Sequence, residues 1–203
     1  WGIHSFSTCT RSLEGVAGNF ESGVFPYNQA DKRCHNFLTC GPDGGQGTGT
    51  ARVNHVMHKI MQQGQSLLLM GDCDGVRPLV KDIVNQMSIP LIQGTIRYAQ
   101  IMARTGAEAA MYPAKAAAEG TSFAMSILPR IAACPDGGAE DATLIWNNMK
   151  HGAASTDHPA VKAAFERHYA CLNITCEEVG GFYDNRPDGG GYYPDSEPCV
   201  TQD

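Results

Sequence analysis

The chain contains 203 residues, of which 42% are hydrophobic and 18% are charged, and its formal net charge is -6. This composition predicts a globular protein with a core and excludes a disordered chain. The negative charge argues against nucleic acid as a partner, since phosphate backbones recruit clustered Lys and Arg. No apolar run approaches the roughly 20 residues that cross a bilayer, so we expect no transmembrane segment. The start at Trp1 fits either a removed leader peptide or a fragment of a longer chain.

Residues 1–47 carry no sustained hydrophobic period and end in a run of turn signals, which predicts an irregular arm. Apolar residues at helical spacing then predict a first helix over residues 50–70. Asp74 is placed to cap a second helix, whose inward stripe consists of Val76, Leu79, Val80, Ile83, Val84 and Met87.

Prolines mark the starts of three further helices, at Pro90, Pro113 and Pro159. In the Pro113 helix, Pro129 is expected to end or kink the chain. Its predicted inward residues are Ala117, Thr121, Ala124, Met125, Leu128 and Ile131. A short helix before Pro159 is marked by Ile145, Trp146 and Met149. The inward stripe of the Pro159 helix comprises Val161, Ala164, Phe165, Tyr169 and Leu172.

These patterns predict an all-α protein of about six helices in antiparallel hairpins, with irregular, disulfide-tied ends. We expect a single domain over residues 1–203, with an arm (1–47), a helical core (48–176) and a Gly/Pro/Tyr-rich tail (177–203). A repeated unit of helix, cysteine, Asp-Gly turn and helix occurs at Cys73 and Cys134, and chance similarity is the alternative.

Eight cysteines are spread along the chain without the short paired spacings of a zinc site: Cys9, Cys34, Cys40, Cys73, Cys134, Cys171, Cys176 and Cys199. An even count of this kind predicts disulfides, with reduced or metal-bound thiols as the alternative. Disulfides indicate an oxidising location: the cell exterior, a periplasm or the cell surface. Asn173 begins an Asn-Ile-Thr glycosylation sequon, which agrees with secretion.

Four residues are candidate metal ligands. His55 and His58 lie three apart on the polar face of the first helix, where both imidazoles could reach one ion; the alternative is a solvated face. Glu119 lies among small residues, and its alternative is a surface pair with Lys115. His168 falls on an apolar stripe, which is typical of a hydrogen-bonded core histidine and also of a buried titrating group.

Three short runs, at residues 92–99 (IQGTIRYA), 118–124 (AEGTSFA) and 127–129 (ILP), resemble the secreted low-iron-inducible, iron-assimilation proteins of algae. The resemblance covers about residues 88–150. It implies a helical periplasmic or cell-surface domain that captures iron, with Glu119 as the first ligand to suspect. The Glu-x-x-Glu pattern of that family is absent. Fe³⁺ prefers carboxylate and phenolate oxygens, which the tail also offers at Tyr183, Asp184, Tyr192, Tyr193 and Asp195.

Three functions follow as hypotheses. The first is a secreted or cell-surface binding protein that captures iron or another metal ion. The second is a structural or interaction subunit of an extracellular coat or filament, assembled by self-association or with another surface protein through its terminal arms. The third is a secreted enzyme of unrecognised type that uses His168 with a carboxylate, although no catalytic motif is present.

Overall fold

The computed structural model describes residues 25–104 and 113–200. In these ranges the protein is all-α, which confirms the predicted class. The helices are α1 (Phe25–Phe37), α2 (Arg52–Leu69), α3 (Cys73–Ala103), α4 (Pro113–Ala132), α5 (Gly138–Met149), α6 (His158–Glu166), α7 (Tyr169–Leu172) and α8 (Cys176–Val179). Two short strands, β1 (Tyr183–Asp184) and β2 (Gly191–Tyr192), form an antiparallel ribbon.

The chain divides into two compact units, Trp1–Pro90 and Leu91–Asp203. The division falls inside α3, which contributes its first part to one unit and its second part to the other. The single domain predicted over residues 1–203 stays a prediction.

Helix α1 corrects the prediction of an irregular arm over residues 1–47. Its buried residues follow helical spacing, at Ala30, Arg33, Cys34 and Phe37. The sequence pattern missed the helix because an arginine occupies one of these inward positions. Residues 1–24 of the predicted arm, including Cys9, lie outside the described residues.

Polar contacts join α1 to α2 in the first unit. The Asp31 carboxylate accepts hydrogen bonds from the Ala51 backbone N–H at 2.7 Å and from Asn54 Nδ2 at 2.8 Å. Asn54 Nδ2 also lies 3.1 Å from the Tyr27 carbonyl oxygen, to which it donates. One partly buried carboxylate-amide contact therefore fixes where α2 begins and how it lies along α1.

Helix α3 replaces two predicted helices, because the chain stays helical through Pro90. A proline inside a helix removes a hydrogen bond and costs about 3 kcal/mol or more. Burial offsets this cost here, since Ile89 and Ile92 on either side of Pro90 are fully buried. The predicted cap is also corrected: the side chain of Asp72, not Asp74, accepts from the Gly75 backbone N–H at 2.8 Å.

The inward stripe predicted for the first part of α3 is wrong for half of its members. Val80, Val84 and Met87 are exposed, whereas Asn85 and Gln86 are buried. The hydrophobic period was read correctly, but tertiary packing turned a different side of the helix inward. We call Val80, Val84 and Met87 the α3 face.

The second unit has a dense core in which α4, α5 and α6 pack in succession. Ile127, Ile131, Ile145, Met149 and Phe165 are fully buried. Helix α4 continues through Pro129 to Ala132, so of the two predicted effects of this proline the ending does not occur. The inward position predicted for Met125 is wrong, because this residue is 58% exposed. Its inward face is rotated by about one residue, because Phe123 and Ile127 point to the core instead.

A close approach between α3 and α4 depends on Gly94. A Cβ atom added there would lie 2.5 Å from the Phe123 ring, which is far inside van der Waals contact. The Phe123 ring in turn stacks on Tyr98, with ring centroids 5.8 Å apart. The glycine therefore makes room for an aromatic pair in the core.

The stripe predicted for the Pro159 helix is confirmed, since all five of its residues are buried. The chain breaks after Glu166 into α6 and the single-turn α7, so the stripe spans two helices. The Asp157 side chain accepts from the Ala160 backbone N–H at 3.0 Å and caps α6, with Pro159 in its first turn.

The described part of the tail packs within the second unit. Val179 and Phe182 are buried, and the Val179 carbonyl accepts from Gln93 Nε2 at 2.8 Å. A disulfide between Cys176 and Cys199 closes this segment. The tail is thus tied down by its cysteine, as the sequence predicted.

Three disulfides join described residues: Cys34–Cys40, Cys134–Cys171 and Cys176–Cys199. Cys73 departs from the prediction, since its thiol is free and exposed. The two hairpins that resemble one another in sequence therefore differ: the cysteine of one is bonded to Cys171, and that of the other is not bonded to a described residue.

Candidate functional site

The two predicted histidine ligands lie in the first half of α2. His55 and His58 are both half-buried, and within the described residues neither imidazole has a hydrogen-bond or ion-pair partner. Positions three apart on a helix are neighbours on its surface, so the two histidines lie on one side of α2. The polar position predicted for this pair agrees with their partial exposure.

Glu119 is half-buried on α4. It belongs to the second unit, whereas the histidine pair belongs to the first. We therefore treat Glu119 and the histidine pair as separate candidates.

His168 is buried, with 2% of its surface exposed, and bonds to Asp141 on α5. Its Nε2 lies 2.7 Å from Asp141 Oδ2, to which the ring donates when Nε2 is protonated. Arg167 holds the same carboxylate with both ends of its guanidinium: Nε lies 2.9 Å from Oδ2, and a terminal nitrogen lies 2.5 Å from Oδ1. This geometry is that of a satisfied structural network.

The ion pair in this network shifts the pKa values of both of its members toward their charged forms. The bond from Arg167 lowers the pKa of Asp141, and partial burial opposes that shift. The same bond raises the pKa of Arg167. The enzyme hypothesis combined His168 with a carboxylate; the structure supplies that carboxylate as Asp141, in a buried position, and catalysis stays a hypothesis.

A second buried histidine, which sequence reasoning did not single out, lies at the start of α6. His158 Nε2 is 3.4 Å from the hydroxyl oxygen of the fully buried Ser196. Its Nδ1 has no partner among the described residues. Burial lowers the pKa of His158 to about 4, with a further lowering by Lys162. The ring is therefore neutral at physiological pH and joins α6 to the tail.

Cys34, His35 and Cys40 form the one group of three potential metal ligands in the described ranges, with their ligand atoms within 4.8 Å of one another. The two sulfurs are bonded to each other, so they present no thiolate to an ion in this state. The sequence signal for this cluster was the adjacent pair Cys34 and His35, which the sequence did not lead us to predict as a site.

Some of the oxygen-bearing side chains predicted as ligands in the tail lie close together in the structure. Asp184 is paired with Arg186, whose Nε lies 2.8 Å from Oδ1, and hydrogen bonds from this arginine lower the pKa of Asp184 to about 2. Tyr183 and Tyr192 face each other across the ribbon, with ring centroids 5.4 Å apart. Because an arginine already neutralises the carboxylate, Asp184 is a poor ligand for a cation.

Asn173 is exposed, with a left-handed φ of 53°, at the end of α7. Thr175, the third residue of the sequon, caps α8 by accepting from the Glu178 backbone N–H at 3.2 Å. The asparagine is accessible to a glycan, and its glycosylation stays a prediction.

No family model, curated protein or solved structure matches this chain. None of the helices in residues 25–104 and 113–200 has the length and apolar character that a membrane span requires.

Proposed function

We propose that this protein is a secreted or cell-surface binding protein that captures a metal ion through His55 and His58. The observation that carries the proposal is the pair of half-buried imidazoles on α2, which have no partner among the described residues. Histidines used only for structure are normally hydrogen-bonded when buried, as His168 is. A neighbouring pair left without partners has its nitrogen lone pairs available to a cation.

The donor chemistry narrows the choice of ion. Imidazole suits iron, zinc, copper and nickel, whereas magnesium and calcium prefer oxygen ligands. The resemblance to low-iron-inducible proteins makes Fe²⁺ the first ion to test. Two imidazoles leave coordination positions open, which water or a further ligand would fill.

The three disulfides support an extracellular, periplasmic or cell-surface location, because such bonds persist in oxidising compartments. The exposed sequon at Asn173 supports the same location.

Metal binding by the purified, disulfide-intact protein tests the proposal. We expect Fe²⁺, under anaerobic conditions, or Zn²⁺ to bind with one site per chain by calorimetry. The double variant His55→Ala/His58→Ala should lose at least about tenfold in affinity, since two of its ligands are gone. His151→Ala, which removes an exposed histidine of the second unit, is the matched control. Glu119→Ala tests the separate carboxylate candidate.

Absence of binding by the wild-type protein would overturn the proposal. Equal affinity of the wild-type protein and the double histidine variant would also overturn it, and a loss confined to Glu119→Ala would move the site to α4.

A further inference from the structure

The tail contacts the start of α6 through one buried histidine. His158 has 1% of its surface exposed, and its Nε2 lies 3.4 Å from Oγ of the fully buried Ser196. The Ser196 hydroxyl also lies 3.3 Å from the Pro194 carbonyl oxygen, to which it donates. Because a hydroxyl has a single proton, its oxygen is left to accept a hydrogen bond from His158 Nε2. The neutral ring therefore carries its proton on Nε2, and its Nδ1 has no proton to donate.

A second proton on this ring has no favourable position in the closed tail. It would lie on Nδ1, which is buried and has no hydrogen-bond partner among the described residues. Burying a charged donor without an acceptor costs far more than burying a neutral group. Water supplies the acceptor once the ring is exposed, so a form in which the tail has moved away binds this proton more tightly than the closed form does.

Charged side chains act on the ring from α6, from the turn before it and from the tail. Burial of the ring is the largest effect and opposes a positive charge. Lys162 opposes it as well, one turn along the same side of α6 and only 16% exposed, although Glu166 pairs with this lysine at 2.5 Å. Asp157 and Asp195 favour the charge. The opposing effects are the larger, because the pKa of His158 is lowered to about 4.

A disulfide holds the tail on the molecule whether or not the histidine contact is made. The Cys176–Cys199 bond closes a segment that includes β1 and β2. A further hydrogen bond joins this segment to α3, where Gln100 Nε2 donates to the Pro194 carbonyl oxygen at 3.3 Å. An amide and a carbonyl do not titrate between pH 4 and pH 7, so of these two contacts only the one at His158 responds to acid.

We propose that His158 and Ser196 form an acid-sensitive switch, in which acid detaches residues 180–198 from α6 while the Cys176–Cys199 disulfide keeps them on the molecule. We call these residues the tail loop. Detachment brings the buried ring of Phe182 to the surface, and it reverses when the pH rises again because no covalent bond is broken. Histidine protonation between pH 5 and pH 6 is a common basis of such conformational changes.

Hydrogen exchange of the wild-type protein, with its disulfides intact, tests the switch. After correction for the intrinsic effect of pH on exchange, peptides spanning residues 181–196 should exchange about 30-fold faster at pH 5 than at pH 7.5. This ratio follows from a pKa of 6.5 for His158 in the open form and about 4 in the closed form. His158→Gln keeps a neutral hydrogen-bonding side chain and should show no such increase. The control His151→Gln, at an exposed position, should retain it.

Urea distinguishes detachment of the tail loop from unfolding of the whole second unit. Detachment exposes little surface, so exchange of the tail-loop peptides should change little up to about 2 M urea. Peptides from α5 should exchange more slowly and depend steeply on urea, because they open only with the core. Three results would overturn the proposal: exchange of the tail loop that does not depend on pH, an acid increase that persists in His158→Gln, or identical rates and urea dependence for tail-loop and α5 peptides.

Discussion

The two compact units differ in what their described residues bury and what they leave exposed. In the second unit, α4, α5 and α6 bury the side chains of Ile127, Ile131, Ile145, Met149 and Phe165 completely, and two disulfides and the Asp141 ion pair add to the packing. In the first unit, one disulfide closes a short loop, the α3 face is exposed, and two imidazoles lack partners among the described residues. Polar groups with hydrogen-bond partners and buried apolar side chains stabilise a fold. Polar groups without partners and exposed apolar surfaces are available to bind a ligand or another surface.

The largest expected difference between the two units is in how much their disulfides contribute to the free energy of unfolding. Cys134–Cys171 joins residues 37 apart in sequence, and Cys34–Cys40 joins residues 6 apart. Loop-closure entropy then predicts that Cys134→Ala/Cys171→Ala lowers the free energy of unfolding by about 4 kcal/mol, and Cys34→Ala/Cys40→Ala by about 2 kcal/mol. Urea denaturation followed by circular dichroism measures both. Equal losses would contradict the difference drawn between the units.

Acid should weaken the second unit through His158. The unfolded chain binds a proton below its usual pKa of 6.5, whereas burial delays protonation in the folded protein to about pH 4. The unfolded state thus binds more protons between these values, so stability falls as the pH is lowered from 6.5 to 4, by about 3 kcal/mol in total. His158→Gln should flatten this part of the stability profile. His151→Gln, at an exposed position, is the control, and an unchanged slope in His158→Gln would refute the assignment.

Removing the carboxylate from the ion pair should cost somewhat less. Asp141→Ala leaves the buried His168 ring and the Arg167 guanidinium without their shared acceptor. We expect a loss of about 2–3 kcal/mol, below the usual range for a buried pair because Arg167 is half-exposed to water. Glu140→Ala, one residue earlier and exposed, should change the free energy of unfolding by less than about 0.5 kcal/mol. Similar losses in the two variants would show that the network does not stabilise the unit.

The smallest effect is expected from one added methyl group in the second unit. Gly94→Ala forces the new Cβ against the Phe123 ring, and overpacking of this kind costs about 1–3 kcal/mol. Gly191→Ala is the matched control, because nothing lies within 4 Å of a Cβ added there. If Gly94→Ala left the free energy of unfolding unchanged, the core would be shown to accommodate the added methyl group more readily than its packing indicates.

Local signals predicted the parts of the fold that depend on neighbours in sequence. Pro159 and the stripe from Val161 to Leu172 were sufficient to predict α6 and its buried face, because capping and hydrophobic periodicity act within a few residues. The same reasoning failed for α1, where one of the inward positions is occupied by Arg33, a charged residue that a hydrophobic pattern does not count. It also failed at Pro90, where core burial outweighs an intrinsic helix breaker.

The candidate site residues also separate into features that local spacing predicted and features that depend on distant contacts. Helical spacing in the sequence was enough to place His55 and His58 together on the outer side of α2 and His168 on an inner side. Helical spacing could not identify the partners of His168, because Asp141 lies 27 residues away in sequence and meets the ring only after α5 and α6 pack. The burial of His158 against Ser196, across 38 residues, is a similar case.

The sequence by itself determined the helical class, the even set of cysteines and the amphipathic spacing that sets candidate ligands on a helix surface, because each follows from composition or from residues a few positions apart. Only the tertiary structure decided which side of α3 faces inward, which cysteines bond, and which histidines are left without partners. These outcomes depend on contacts between residues far apart in the chain, whose energies no local pattern contains.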